Sequence, residues 1–202
     1  MKKAFEILRD VKSVVISTVK DGIPQSRIID IMDYDDGGIY FLTGKTKPFY
    51  RQLKREKKVA VTGMNKEYVQ VRLVGDVHEI DIRLIEKLFD KNPELEKLFP
   101  TRNENDSFSV FYLSNGKGEV FDLSGKENKM NRVRFAFGKD TVNEAGCIIT
   151  ESCIECGKCK KVCPFYAISE GTPFVINPKL CDECGNCYYA CPVSAIDLPK
   201  GI

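Results

Sequence analysis

Several features that would place the chain in a familiar class of protein are missing from its sequence. The 202 residues include no tryptophan and only one histidine, His78, which has no cysteine or carboxylate at metal-ligand spacing. The longest apolar runs, near VVISTV and IYFL, are far too short to span a bilayer. With 31 basic and 29 acidic residues, the charge balance argues against a general nucleic-acid or membrane-surface binder. The N-terminus MKKAFEILRD carries charge where a signal peptide would be apolar, so we expect a cytoplasmic protein.

Cysteine, by contrast, is abundant and unevenly placed. Eight of the nine cysteines fall in the last quarter of the chain, within a first run, CIECGKCKKVCPFYAI (153–168), and a second run, CDECGNCYYACPVSAI (181–196). Both runs have the spacing C-x2-C-x2-C-x3-C-P. Disulfide frameworks and zinc sites do not require a third evenly spaced cysteine in each run, whereas iron-sulfur ligation requires it. The repeat therefore predicts iron-sulfur clusters.

This part of the chain resembles the bacterial two-cluster ferredoxins over about 50 residues. In those proteins the fourth cysteine of each run ligates the other cluster, which implies cross-ligation here. We predict a small α+β ferredoxin-like domain at 151–202 that carries low-potential electrons on two [4Fe-4S] clusters. The ninth cysteine, Cys147, is expected to be a small buried apolar residue, although its nearness to this domain leaves a redox role open. The predicted ligands are Cys153, Cys156, Cys159 and Cys191 for one cluster, and Cys181, Cys184, Cys187 and Cys163 for the other.

The first 140 residues alternate short strand patterns with a few helical ones. AFEILRDV, KPFYRQLKRE, DIRLIEKLFDKN and PELEKLF have helical spacing of apolar residues. Six or so strands, separated by turn signals such as KDG and YDDGG, fit a small closed barrel. FSVFYLSN and GEVFDLS predict a hairpin around residues 116–118. The pattern thus indicates a mainly β domain with some helix.

Two segments of this region, SRIIDIMDYDDGGIYFLTGKTKPFYRQL and EYVQVRLVGDV, resemble the pyridoxamine 5'-phosphate oxidase-like family. The resemblance covers about residues 1–138, with a linker at 139–150 before the cysteine runs. It implies an FMN-binding split β-barrel and a homodimer with flavin at the subunit interface. Some members of the family bind heme or a deazaflavin instead.

The same resemblance implies a set of flavin contacts. A dianionic phosphate needs cationic donors and hydroxyls, and the segment TGKTK with Arg27 supplies both. Family members often have Ser-Arg-Lys in this loop, so which lysine grips the phosphate stays open. Gln70 matches a glutamine that commonly approaches the ring from the partner subunit. The implied contacts are Arg27, Ile28, Ile29, Thr43, Lys45, Thr46, Lys47, Gln52 and Gln70.

Together, the two halves predict an oxidoreductase that passes electrons between two [4Fe-4S] clusters and FMN. A small-molecule substrate or a redox partner protein would meet the flavin. No side chain stands out as an acid or base. Pyridoxamine 5'-phosphate oxidation is not expected, because family members with that activity carry a C-terminal substrate segment containing tryptophan. The alternatives are a non-catalytic electron carrier or redox sensor, and a barrel that binds heme or deazaflavin.

Overall fold

The structure, a computed structural model, describes residues 1–81, 83–98, 107–124, 131–142 and 146–198. It divides into two compact units. Unit 1 comprises Met1–Glu119 and Phe135–Thr141, and unit 2 comprises Val120–Arg134 and Val142–Ile202. Residues 143–145 of the predicted linker lie outside the described residues. In the described ranges, no helix is long and apolar enough to cross a membrane.

Unit 1 is built on a sheet that closes into a six-stranded barrel. The strand order is β3-β2-β1-β4-β5-β6-β7, and an additional pairing of β3 with β6 closes the first six strands on each other. Closure removes the exposed edges that an open sheet would leave. It confirms the prediction of a mainly β barrel. The strands are β1 (Ser13–Lys20), β2 (Ile23–Tyr34), β3 (Ile39–Gly44), β4 (Lys58–Met64), β5 (Val69–Ile80), β6 (Phe108–Asp122) and β7 (Asn131–Phe137).

Aromatic and aliphatic side chains fill the inside of this barrel. β4 buries every second residue, as expected of a strand with one face toward a core. Phe41 of β3 stacks on Phe111 of β6 with ring centroids 5.9 Å apart, and both are almost completely buried. The helices of unit 1 occur where the sequence predicts them: α1 (Lys2–Val11), α2 (Pro48–Glu56), α3 (Leu84–Asp90) and α4 (Glu94–Leu98).

The predicted hairpin around residues 116–118 is wrong, because residues 108–122 form the single strand β6. Its glycines allow close approach of backbones rather than a turn. A Cβ at Gly116 would lie 2.2 Å from the carbonyl oxygen of Val74, and one at Gly118 would lie 2.6 Å from the side chains of Leu73 and Phe135. Glycine is therefore required here for strand contact, which local turn signals do not reveal.

Besides the parts of β6 and β7 that belong to it, the described part of unit 2 consists of short elements around the two cysteine runs. Its helices, α5 (Lys158–Val162) and α6 (Asn186–Ala190), each begin after a glycine in the left-handed region, Gly157 with φ 70° and Gly185 with φ 78°. Two-residue strands pair antiparallel, β8 (Ile148–Ile149) with β11 (Ile196–Asp197) and β9 (Ile168–Ser169) with β10 (Val175–Ile176). The two runs thus have the same local structure, as the 28-residue offset between Cys153 and Cys181 predicts.

Candidate functional site

The eight cysteines of the runs are gathered around two separate cavities in unit 2. We call them the first-run cavity and the second-run cavity. Each is lined by three cysteines of its own run and by the last cysteine of the other run. The first-run cavity is lined by Cys153, Cys156, Cys159 and Cys191, and the second-run cavity by Cys181, Cys184, Cys187 and Cys163, together with Cys147.

The middle cysteine of each triplet is the exposed one. Cys156 and Cys184 are exposed, whereas Cys159 and Cys187 are buried. Burial raises the pKa of the Cys159 and Cys187 thiols, because it disfavours the thiolate form. A bound metal would reverse that preference, since a coordinating thiol is deprotonated.

Backbone amides donate hydrogen bonds to the cysteine sulfurs in the same pattern at both cavities. The amide of Glu155 donates to Sγ of Cys153 and that of Glu183 to Sγ of Cys181, each at 3.4 Å. The last cysteine of each run also accepts such a bond, Cys163 from Ala167 at 3.4 Å and Cys191 from Ala195 at 3.2 Å. Donors of this kind favour negatively charged sulfur, so the surroundings fit thiolate ligands of a cluster.

All nine cysteines are free thiols, so none belongs to a disulfide. Among the described residues, no three potential ligand side chains converge closely enough to hold a single metal ion. The four thiols of a cubane site each bind a different iron, so they surround the cluster instead of converging on one point.

Two arginines of β7, within unit 2, pair with the acidic residues between the first two cysteines of the second run. Arg132 donates to the Asp182 carboxylate, and Arg134 donates to Glu183 Oε1 at 2.9 Å. The arginine side chains are only 15% exposed, which strengthens these pairs relative to surface ones. The two guanidinium groups offset the negative charges of Asp182 and Glu183, in a module to which bound clusters would add further negative charge. Neither arginine was predicted from the sequence, since neither stands near a cysteine in the chain.

In unit 1, Arg27 lies at the centre of a hydrogen-bond network. Its guanidinium donates to Thr18 Oγ1 and to Gln52 Oε1, both at 2.9 Å, and lies 4.4 Å from the centroid of the Phe49 ring. Thr18 donates to the same Gln52 oxygen at 2.6 Å. Burial lowers the pKa of Arg27. Within the described residues, no carboxylate pairs with this guanidinium, so its charge is available to an anion.

The predicted phosphate loop joins β3 to α2. Thr43 is buried at the end of β3, Lys45 is half-buried, and Thr46 and Lys47 are exposed. Pro48 and Phe49 then begin α2, which carries Gln52 to Arg27. The structure therefore brings Gln52 and Arg27 together, with the loop directly before the same helix.

The other predicted flavin contacts lie elsewhere on the barrel. Ile28 is 72% exposed on the outer face of β2, while Ile29 beside it is half-buried. Gln70 is on β5, three strands away from β2 in the sheet, and its Oε1 accepts from Arg72. The register of the strands from β2 to β5 places Leu73 level with Arg27, so these two side chains share one face of the sheet. Successive side chains of a strand alternate between the faces, and Gln70 is three residues from Leu73. Gln70 therefore points to the opposite, outer face. Within one chain, Gln70 is not brought to Arg27.

Thr18 and Phe49 are further members of this network that were not predicted from the sequence. Thr18 is 3% exposed at an inward position of β1, in the series that Val14 and Ile16 begin. A polar residue at a core position needs a hydrogen-bond partner, and this signal could have pointed to Arg27 and Gln52.

Comparison with known proteins identifies both parts of the chain. A family model described as pyridoxamine 5'-phosphate oxidase matches residues 1–117. The chain belongs to the pyridoxamine 5'-phosphate oxidase family. A second model, described as a 4Fe-4S dicluster domain, matches residues 145–192. Together the two matches confirm the predicted fusion of a split barrel with an iron-sulfur module. No curated protein sequence matches this family member significantly.

Solved structures resemble the barrel half of this family member. A nimc/nima family protein from Clostridium acetobutylicum has 24% identity and a TM-score of 0.60, with 68% of this chain and 92% of that chain covered. A protein related to general stress protein 26, also from Clostridium acetobutylicum, has 15% identity and a TM-score of 0.54, covering 67% and 92%. A pyridoxamine 5'-phosphate oxidase-related, FMN binding protein from Nostoc punctiforme has 14% identity and a TM-score of 0.50, covering 70% and 94%. At these identities the likeness shows the fold.

Proposed function

We propose that this protein is an iron-sulfur flavoprotein oxidoreductase in which two [4Fe-4S] clusters and FMN exchange electrons. A small-molecule substrate or an electron carrier would react at the flavin. The observation that carries the proposal is the division of eight cysteines between two cavities in unit 2. When bound, FMN can transfer two electrons together or one at a time, and each cluster transfers one electron. Two clusters therefore match the two electrons of one reduced flavin. Placing both on one chain removes the need for a separate ferredoxin.

The cysteine arrangement supports cross-ligation. Cys163 is the last cysteine of the first run but lines the second-run cavity, and Cys191 is the last cysteine of the second run but lines the first-run cavity. Each helix, α5 or α6, therefore carries a ligand for one cluster inside it and ends at a ligand for the other. We assign four thiolates to each cluster on this basis.

Four matched variants test cross-ligation: Cys163→Ala, Cys184→Ala, Cys191→Ala and Cys156→Ala. Each should reduce iron from about eight to about four atoms per chain. In EPR spectra of reduced, anaerobically purified protein, Cys163→Ala should lose the same signal as Cys184→Ala, and Cys191→Ala the same signal as Cys156→Ala. If Cys163→Ala instead matches Cys156→Ala, each run binds its own cluster and cross-ligation is wrong.

The Arg27 network supports FMN binding. The charge of Arg27 meets only neutral oxygens among the described residues, and the exposed residues Thr46 and Lys47 stand just before α2. These groups suit a phosphate, which accepts several charge-assisted hydrogen bonds. Thr18 and Gln52 fix the direction of the guanidinium and so prepare the site. The FMN-binding relative from Nostoc punctiforme has the same fold, which adds support.

Removal of these cations tests the flavin site. Arg27→Ala and Lys47→Ala should each weaken FMN binding about 10- to 100-fold, since each removes charge-assisted hydrogen bonds to the phosphate. Iron content should stay unchanged. Arg55→Ala is the control, because Arg55 is exposed on the last turn of the same helix and pairs with Asp21 and Glu56. Undiminished FMN retention, measured by fluorescence after dialysis, would contradict the assigned phosphate contacts.

A homodimer would complete this flavin site. The outer face of the strands β1, β2 and β5 exposes Val15, Ile28 and Val74, which are 42%, 72% and 57% exposed. A second copy of the same face could cover these side chains and bring its own Gln70 toward the flavin. Sedimentation analysis of FMN-loaded protein checks the proposal, and a monomer at every concentration would rule it out.

A second candidate function is electron carriage to a partner protein. Cys156 and Cys184 are exposed, which brings one corner of each proposed cluster close to solvent. Turnover separates the two candidates: the enzyme should reduce a substrate steadily, whereas a carrier only cycles its cofactors. We place either reaction in the cytoplasm, where thiols such as these nine remain reduced.

A further inference from the structure

Cys147 is a fifth cysteine at the second-run cavity, outside both repeated runs. It lines that cavity with Cys163, Cys181, Cys184 and Cys187, and it is 4% exposed. It packs in the same buried cluster as Cys181 and Cys187, which line that cavity with it. A buried thiol that shares a cavity with proposed cluster ligands differs from an ordinary core cysteine, because a hydrogen bond from it can stabilise negative charge on their sulfurs.

The surrounding backbone fixes Cys147 in this position. The next residues, Ile148 and Ile149, form β8 and pair with β11, the strand that begins at the last residue of the second run. On its other side, Gly146 lies beside the run, since a Cβ added there would be in van der Waals contact with Cβ of Cys181, at 3.4 Å. The thiol is thus anchored to the second run from both directions.

The first-run cavity differs in this respect. Among the described residues that line it, the thiols are the four predicted ligands, and the other side chains include Ile149, Phe174 and Val193. The amide-to-sulfur hydrogen bonds match at both cavities, with two of 3.2–3.4 Å at each. Cys147 therefore breaks an otherwise close symmetry between the two sites.

We propose that Cys147 is not a ligand but donates its S–H to the sulfur of Cys181 or Cys187, which makes the second-run cluster easier to reduce than the first-run cluster. The inference rests on the proposed two-cluster function. One-electron reduction adds negative charge to the cluster and its sulfurs, and hydrogen bonds to those sulfurs stabilise the reduced form. Cys147 is then a positioning residue that sets which cluster holds the electron.

The test compares the wild type with Cys147→Ala, Cys147→Ser and Ile176→Val in the anaerobically purified, cluster-loaded chain. Alanine removes the donor, whereas serine keeps a donor of similar size. Ile176 lines the same cavity, so its valine variant loses a similar volume without losing a hydrogen bond. Iron and sulfide are counted first, and midpoint potentials are then measured by redox titration with EPR detection.

We expect two midpoint potentials in the wild type, of which Cys147→Ala lowers only the higher one. A roughly tenfold change in the reduction equilibrium corresponds to about 59 mV for one electron. Cys147→Ser should restore the wild-type value or exceed it, and Ile176→Val should leave it unchanged.

Three results would overturn the inference: loss of about four irons in Cys147→Ala, which would make Cys147 a ligand; an equal shift in Ile176→Val; or no shift in Cys147→Ala. A wild-type chain that binds no cluster would instead contradict the proposed function itself. The iron count thus separates the two failures.

Discussion

The two units are stabilised in different ways. The barrel of unit 1 has long strands, among them the 12-residue β2 and β5, around a core of fully buried phenylalanine, leucine and isoleucine. Around its cysteine runs, unit 2 has helices of five residues and strands of two, and four of the nine buried residues in its core cluster are cysteines: Cys147, Cys159, Cys181 and Cys187. Elements this short cannot hold together by backbone pairing alone. The barrel is therefore stabilised by apolar burial, and we expect the module to depend on what its cysteines bind.

The largest expected effect comes from removing iron. In the iron-free chain, amides of residues 146–198 should lose nearly all their protection from hydrogen exchange, because metal binding and folding are coupled in small metal-dependent modules. Amides of β1 and β4 should keep their protection. Hydrogen exchange with mass spectrometry checks both, before and after anaerobic reconstitution with iron and sulfide.

Full protection of the iron-free module would erase the contrast between the units. It would mean that Phe165, Phe174 and the other apolar residues of that core suffice for folding. Reconstitution serves as the control, since it should restore protection only where iron had maintained it.

A cavity in the barrel core should give the next largest effect. Phe41 is fully buried and stacks on Phe49 and Phe111, at centroid distances of 6.1 and 5.9 Å. Phe41→Ala should lower the free energy of unfolding of the barrel by about 3–5 kcal/mol. Denaturant unfolding followed by circular dichroism measures this loss.

The matched substitution in the other unit is Phe174→Ala. Phe174 is 8% exposed and lines the first-run cavity. Its loss should accelerate release of iron while leaving barrel unfolding unchanged, since a cavity destabilises the unit that contains it. A large barrel effect of Phe174→Ala would show that the two units do not unfold independently.

The smallest effect is expected at a polar cluster on the barrel surface. Asp35 accepts hydrogen bonds from the hydroxyls of Tyr40 and Tyr112, both at 2.6 Å, and from the amides of Gly37 and Gly38. Partial burial alone would raise the pKa of Asp35, but these donors outweigh it and lower the pKa below 3.8. Burial and the bond to Asp35 raise the pKa of Tyr40 to about 12.

Because the folded-state pKa of Asp35 is lowered, the stabilisation is complete above the ordinary carboxyl pKa and is lost as the pH falls below 3.8. Asp35→Asn should cost about 1 kcal/mol at neutral pH, a modest figure because the carboxylate is exposed. The difference from the wild type should shrink toward about pH 3. Urea unfolding of the iron-free chain at both pH values measures it, and a difference that is independent of pH would mean that the charge of Asp35 contributes nothing.

Features encoded locally were predictable from the sequence. The spacing of the cysteines was sufficient to identify the iron-sulfur module, and alternation of apolar residues located the strands of the barrel. The glycines of β6 were misleading, because Gly116 and Gly118 serve contacts with β5 and β7 that lie far away in the chain. A local pattern cannot separate a turn glycine from one that lets two backbones approach.

The missed site residues share that cause. Thr18, Arg132 and Arg134 acquire their roles only through partners that folding brings close, such as Gln52 for Thr18 and Glu183 for Arg134. Cys147 stands out as the odd cysteine, but the sequence could not place it beside Cys181 and Cys187 instead of in a plain apolar core. Long-range pairing decides these cases, and motif spacing carries no information about it.

The shared lining of the two cavities has a consequence for how such a module arises. Because Cys163 lines the cavity of the other run, and Cys191 does the same in return, a single copy of the run could not complete either cavity. A peptide with one run alone would have to associate with a second copy of itself to bring four such cysteines around one cavity. In this chain the two runs belong to one polypeptide, so both cavities are completed within a single molecule.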